Sequence, residues 1–270
     1  MSVNSYLTSL ANAAIIRDQE QGSIRRSVAT LQARLNHYFE ADISQQVVFG
    51  SYSRGTILPR SMDANSDVDY MVVFTDNSSR PQTYLNRLRR FVGQYYSRSE
   101  ISQSNPTIVL SLNHIRFELV PAINSWFSSL QIPAKASEFQ DWMDTDPNGF
   151  NQELVNANQT HSNLIKPLVR VMKYWNAKSR YPFESYSLEQ DVVRHGFGFF
   201  GFLSSRQLQD YFYDYIEEMD AGLFAPKWKQ DAVSRAQQIA ADARSKERQG
   251  YTSAAESAIK RLLPPLGSLV

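Results

Sequence analysis

Apolar residues recur at intervals of three, four and seven between Ser5 and Glu40, where Ile15, Ile16, Ile24, Val28, Leu31 and Leu35 are interleaved with Arg17, Asp18, Glu20, Arg25, Arg26 and Arg34. This spacing predicts one long helix with a buried stripe, and Gly22 as the point where it kinks or divides. The period then changes. Val47, Val48 and Phe49 predict a strand that breaks at Gly50-Ser51, and a polar, turn-rich connection leads to a second apolar run, Tyr70–Phe74. Pro81–Tyr96 returns to helical spacing, with Leu85, Leu88, Phe91 and Val92 as its stripe and Arg87, Arg89 and Arg90 as a solvated face. Thr107–Leu112 and Ile115–Val120 predict a hairpin joined at Asn113-His114, its second strand ending at Pro121.

Beyond about residue 125 the pattern is helical, over Asn163–Asn176, Leu188–Leu203, Gln207–Met219, Lys229–Arg248 and Thr252–Leu262, with an irregular tail from Leu263. Asp144–Gly149 and Pro182–Ser187 are turn-rich breaks, and the aromatic run at 197–202 reads as core. The expected class is α+β. A strand-bearing lobe with an N-terminal brace helix occupies residues 1–125, a helical lobe occupies 126–270, and a cleft lies between them.

Composition narrows the partners. The 28 Lys and Arg nearly balance the 27 Asp and Glu, for a net charge of +1, which argues against a general nucleic-acid coat. Cysteine is absent, so disulfides, thiolate zinc sites and thiol nucleophiles are excluded. His37, His114, His161 and His195 show no ligand spacing. No basic stretch followed by a long apolar core opens the chain, and no apolar run reaches the roughly 20 residues of a membrane span, so a cytoplasmic protein without a membrane partner is expected.

Candidate chemistry gathers around Asp67 and Asp69, two apart where the second run begins. Side chains of a strand alternate, so both carboxylates share a face. Like charges held this close call for a cation, and hard oxygen ligands suit a divalent metal. Gly50-Ser51 supplies a turn whose backbone N–H groups can approach an anion. Glu118 alternates with Phe117 and Leu119, on the polar face with His114 and Arg116, and adds a third carboxylate. Alone, an Asp-x-Asp is better read as a turn cap or a surface pair. Together with a phosphate turn and a third acid, it is the apparatus of two-metal nucleotidyl transfer.

The combination of Gly50-Ser51, Asp67-Val68-Asp69 and Glu118 resembles the polymerase-β-like nucleotidyltransferase superfamily. Within it, FGSYSRGT, SDVDYMVVF and RFELVPAI look like the cGAS/DncV-like nucleotidyltransferases (CD-NTases), relatives of the oligoadenylate synthetases, and the short chain is most similar to their compact clade E members. The resemblance runs from about Val47 to Val193; many members carry Asp where this chain has Glu118. It implies a two-lobed polymerase-β-like fold, a mixed-sheet catalytic lobe and a helical C-terminal lobe. It also implies that Asp67 and Asp69 bridge two Mg²⁺ ions, with Mn²⁺ as a substitute, and that Glu118 binds the metal nearer the attacking hydroxyl. VRVMKYWNAKSRYPFESYSLEQDVV looks like the family's lysine-bearing helix and Ser-Tyr helix start, so Lys173 and Ser185 would hold the β/γ-phosphates and Tyr186 would stack on a base. An ammonium, a helix-start hydroxyl and an aromatic face suit those tasks. The same residues also read as a solvated lysine, an N-cap and a core tyrosine.

Asn163, Lys166, Arg170 and Lys173 fall within an arc of about 80° if Asn163–Trp175 is one helix, at about 100° per residue. Asn163 could then read a base edge, and in clade E an active-site asparagine is associated with uracil use. A helix starting near Pro167 would instead leave Asn163 as a surface or capping residue. The function implied is synthesis of a cyclic dinucleotide second messenger from NTPs, ATP and UTP among them, with release of pyrophosphate. Its setting would be bacterial anti-phage signalling (CBASS), with a separate effector sensing the product. A purine-only product, a linear oligonucleotide synthetase or RNA nucleotidyltransferase, and a regulatory nucleotide-binding module stay open. No zinc ribbon or basic spine is visible, so no nucleic-acid activator is expected; the chain is expected to be a monomer.

Overall fold

The computed structural model describes residues 2–104, 106–125, 129–134, 141–198 and 206–267. They form two compact units. The strand unit comprises Ile16–Arg60 and Asn65–Phe150, and the helical unit comprises Met1–Ile15, Ser61–Ala64 and Asn151–Val270. The boundary expected at residue 125 falls within the strand unit.

The N-terminal helix is two helices, α1 (Val3–Ala13) and α2 (Asp18–Phe39). The break lies at 14–17, not at Gly22, which sits inside α2. α1 buries Tyr6, Leu7 and Leu10 in the helical unit, while α2 buries Ile24, Leu31, Leu35 and Phe39 in the strand unit. Asp18 and Glu20 in the first turn of α2 mark its start, where negative charge meets the positive end of the helix dipole. Ile15, counted into the stripe by its spacing, is 49% exposed in the link.

A 3₁₀ turn, Glu40–Asp42, leads into β1 (Ile43–Phe49), the one-turn helix α3 (Gly50–Arg54) and β2 (Asp67–Phe74). Then follow α4 (Pro81–Tyr95), β3 (Glu100–Ser104), β4 (Thr107–Ser111), β5 (Arg116–Asn124), β6 (Leu130–Pro133) and β7 (Trp142–Thr145). The mixed seven-stranded sheet runs β1-β2-β5-β4-β3, with β6 joining β5 to β7. Among the described residues only β2 and β5 pair in parallel, and the chain from α4 through β4 makes the crossover that parallel pairing requires.

Strand alternation divides β2 between two layers. Val68, Tyr70, Val72 and Phe74 join α2 and α4 in the main core, through Leu31, Leu35, Leu88 and Phe91. Each such buried side chain contributes about 1.5–3 kcal/mol. Met71 and Val73, on the face of Asp67 and Asp69, make a smaller cluster with Ala122.

β5 does not end at Pro121 but continues to Asn124, with Pro121 opposite Val72. Pairing with β4 stops at Leu119 and pairing with β6 begins at Ile123, so a residue without an N–H falls where that side of the strand is open. Three strands escaped the periodicity. β3 is mostly exposed and polar, and β6 and β7 have only four residues each. The helical character expected past residue 125 therefore begins only with α5 (Gly149–Thr160), a helix the spacing did not reveal.

α6 (Ile165–Lys178), α7 (Ser185–Arg194), α8 (Leu208–Glu218), α9 (Lys227–Arg248) and α10 (Thr252–Leu262) complete the helical unit. α7 starts before the predicted Leu188 and stops at Arg194; residues 199–203 of the predicted helix, and most of the aromatic run read as core, lie outside the described residues. α1 packs on α6, α8 and α10. Arg170 Nε donates to Ala11 O at 3.2 Å, and Tyr174 Oη donates to Pro264 O at 2.7 Å.

Gly22 meets only Arg26 Nη1, at 3.7 Å from an added Cβ, so Gly22→Ala should stabilise the chain by about 0.5–1 kcal/mol by favouring helix. Urea unfolding of both proteins measures this, and a fall in the midpoint would show that α2 does not run through Gly22.

Candidate active site

In the strand unit the three predicted acids lie on adjacent strands. Parallel pairing sets Asp67 opposite Arg116 and Asp69 opposite Glu118. The neighbours Val68, Phe117 and Leu119 are buried, while Asp67, Asp69, Arg116 and Glu118 are half-buried on the other face. β1 places Phe49 opposite Asp69, and Gly50 turns the chain beneath that carboxylate. Gly50 has φ +70°, and a Cβ there would lie 1.8 Å from Asp69 Oδ2. Glycine is required both by its backbone and by the space. Gly50 and Ser51 open α3, whose first N–H groups have no intrahelical acceptor. Ser51 O accepts from Thr56 N at 2.9 Å and Ile57 N at 3.1 Å, which fixes the turn.

Charge crowding is visible. Burial, then the charge of Asp67, pushes the Glu118 carboxyl up to about 7, and Arg116 opposes the shift. Arg116 Nη2 lies 2.8 Å from Asp67 Oδ2 and 3.5 Å from Glu118 Oε1. The guanidinium bridges two acids that otherwise repel. Arg116 was legible only as one more polar residue on the Glu118 face; its position two before Glu118 on an alternating strand was the signal.

The helical unit holds the other group. Lys173 is buried on α6, and α6 packs on α7, which begins at Ser185. Glu184, not Ser185, is the N-cap, so Ser185 is the first helical residue and its N–H is one of the unpaired donors of the first turn. Ser185 and Tyr186 are exposed, Tyr186 by 44%, which excludes a core role for its ring. Asn176 fixes the approach to α7. Its Nδ2 donates to Phe183 O at 2.9 Å, and its Oδ1 accepts from Phe183 N at 3.0 Å. That pairing joins residues seven apart across a loop, so the sequence carried no sign of it.

Residues 1–158, more than half of the chain, match the model of the Second Messenger Oligonucleotide or Dinucleotide Synthetase domain, SMODS. The chain belongs to the SMODS family. It is 26% identical over 207 residues to a probable cyclic nucleotide synthase of Bacillus cereus strain VD146, aligning 63% of this chain; the match spans 61% of that relative's length. Its fold is that of the CD-NTases. CdnC of Escherichia coli MS115-1, in a structure with ATP, matches with a TM-score of 0.71 and 12% identity over 98% of each chain. The CdnE c-UMP-AMP synthase of Rhodothermus marinus matches with a TM-score of 0.58 and 14% identity, over 87% of this chain and 94% of that one.

The resemblance to the nucleotidyltransferases implies a metal, and the carboxylates suit one by chemistry: hard oxygens only, two of them from register neighbours, crowded enough to raise Glu118. Among the described residues no three His, Asp or Glu side chains stand converged as ligands, and Arg116 holds the positive charge between Asp67 and Glu118. Asn163 departs from the expected geometry. It has φ 64° and precedes α6, so it does not share a helical arc with Lys173. Its Oδ1 accepts from Asn158 Nδ2 at 2.9 Å.

Two glycines, Gly50 at the start of α3 and Gly55 just after its end, separate strain from contact. Gly50→Ala should cost more than about 2 kcal/mol, because it adds a clash with Asp69 to the left-handed backbone. Gly55→Ala, with φ +71° and nothing within 4 Å of an added Cβ, should cost about 1 kcal/mol. Equal losses in chemical denaturation would show that Asp69 does not sit over Gly50.

Proposed function

We propose that this SMODS protein is a metal-dependent nucleotidyltransferase that joins two NTPs, releases pyrophosphate at each bond and closes a cyclic dinucleotide. The observation that carries the reading is the pairing of Asp69 with Glu118 beside Asp67, with Gly50 beneath. Family membership and the CD-NTase fold support it. When bound, two Mg²⁺ ions would supply Lewis acidity at the phosphates and lower the pKa of the attacking hydroxyl. Asp67, Asp69 and Glu118 are the residues proposed to hold them.

The remaining tasks belong to this chain's own groups. The Gly50-Ser51 turn presents backbone donors to phosphate oxygens. Lys173 neutralises phosphate charge, and Ser185 adds a hydroxyl and a first-turn N–H. The exposed Tyr186 ring offers a stacking face for a base. We assign the strand unit the chemistry and the helical unit the binding of triphosphate and base.

A uracil-containing product, made from ATP and UTP, is the finer part of the proposal. Asn163 is exposed, and its Nδ2 has no hydrogen-bond partner among the described residues. A donor there matches the O4 acceptor of uracil. The resemblance to compact clade E members and the fold likeness to a c-UMP-AMP synthase stand with this reading. The product would act as a bacterial anti-phage signal, read by a separate effector.

Incubation with all four NTPs and Mg²⁺, followed by phosphatase and mass spectrometry, tests the reading. The expected product is a phosphatase-resistant dinucleotide containing uracil, absent in Asp67→Asn/Asp69→Asn. An all-purine product would refute the base assignment, phosphatase-sensitive linear chains would refute cyclisation, and product from the double variant would refute the site. Asn176→Ala removes two hydrogen bonds worth about 1 kcal/mol each and should raise KM for NTPs more than it lowers kcat. Steady-state kinetics reads the split, and an unchanged KM would remove Asn176 from the positioning of α7.

A further inference from the structure

A cavity of about 510 Å³ in the helical unit is lined by Lys178, Arg180, Arg235 and Arg261, with Asp231 as its one carboxylate. Asp231 is engaged by Lys227 at 2.6 Å, and Arg261 lies 3.4 Å from Asp242. Arg180 and Arg235 make no ion pair among the described residues, so two guanidiniums at one opening await a counter-charge. The loop that carries Arg180 is fixed: Arg180 and Tyr181 both adopt left-handed backbone, and Tyr181 Oη donates to Asp63 at 2.5 Å.

The aromatic lining points the same way. Trp175 is fully buried, and its Nε1 has no hydrogen-bond partner among the described residues. An indole N–H is a donor only, and a buried donor left unpaired in a native fold is uncommon. Trp228, 51% exposed at the same cavity, offers a ring face. The volume is that of a small-molecule site. Around α6, Trp175 and Lys178 lie about 200° and 140° from Lys173, so the cavity opens on another side of that helix.

We propose that this cavity is a second ligand site, for a small polyanion carrying an aromatic ring, of the nucleoside polyphosphate class. The guanidiniums and Lys178 pair with its phosphates, and Trp228 stacks on its ring. Trp175 and Lys178 share α6 with Lys173, so the occupant bears on the helix assigned to the substrate triphosphate.

Fluorine NMR on 5-fluorotryptophan-labelled protein tests this. The chain has four tryptophans, and Trp228→Phe assigns the relevant resonance. The titration is run in EDTA on the Lys173→Ala variant, which disables the triphosphate position of the active-site reading and separates the two sites. ATP should shift the Trp228 resonance saturably, and Arg180→Ala/Arg235→Ala should weaken binding by about tenfold or more. Tripolyphosphate should bind more weakly than ATP, because it has no ring to stack. Absence of a saturable shift, a shift unchanged by the arginine substitutions, or equal binding of tripolyphosphate would overturn the proposal.

Discussion

Asp69 and Glu118 stand side by side because β2 and β5 pair in parallel, and the candidate chemistry depends on that register. A slip of one residue would turn Asp67 and Asp69 into the core of α2 and α4 and bring Val68 and Tyr70 to the site. The register is held by burial. Val68, Tyr70, Val72 and Phe74 on one strand, and Phe117 and Leu119 on the other, belong to the main core, and the opposite face carries the smaller cluster of Met71, Val73 and Ala122. Gly50 follows from the same geometry, since the turn after β1 passes under Asp69 where no Cβ fits.

Packing three acids together carries an electrostatic cost that the fold meets from within. Arg116, register partner of Asp67, lies across Asp67 and Glu118, and burial still lifts the Glu118 carboxyl to about 7. The arrangement is a set of crowded carboxylates with the Arg116 guanidinium across two of them, a place where a divalent cation would match the charge better. The helical unit shows a different strategy. There the donors stand at the start of α7, and Asn176 holds the preceding loop through both its amide atoms.

Much of this was legible in the residues. Alternation in SDVDYMVVF and RFELV gave two strands with acids on one face, and Gly50-Ser51 gave the turn. Helical spacing gave α4, α6 and α8 to α10 within a few residues. What escaped had physical reasons. The break between α1 and α2 follows from which unit each stripe enters, which periodicity does not encode. β5 passes through Pro121 because its neighbours leave that side open, a fact of pairing. Arg116 and Asn176 act through contacts across strands or loops, so their residue types alone said little. Asn163 was placed by assuming a helix that starts after it.

The central claim, that the acids of β2 and β5 are a metal site for nucleotides, is tested most directly by electron paramagnetic resonance of Mn²⁺ with a non-hydrolysable ATP analogue. Wild type should remove Mn²⁺ from the free signal in the presence of the analogue, and Asp67→Asn/Asp69→Asn, confirmed as folded, should leave it free. Equal Mn²⁺ binding by the two proteins would contradict the account.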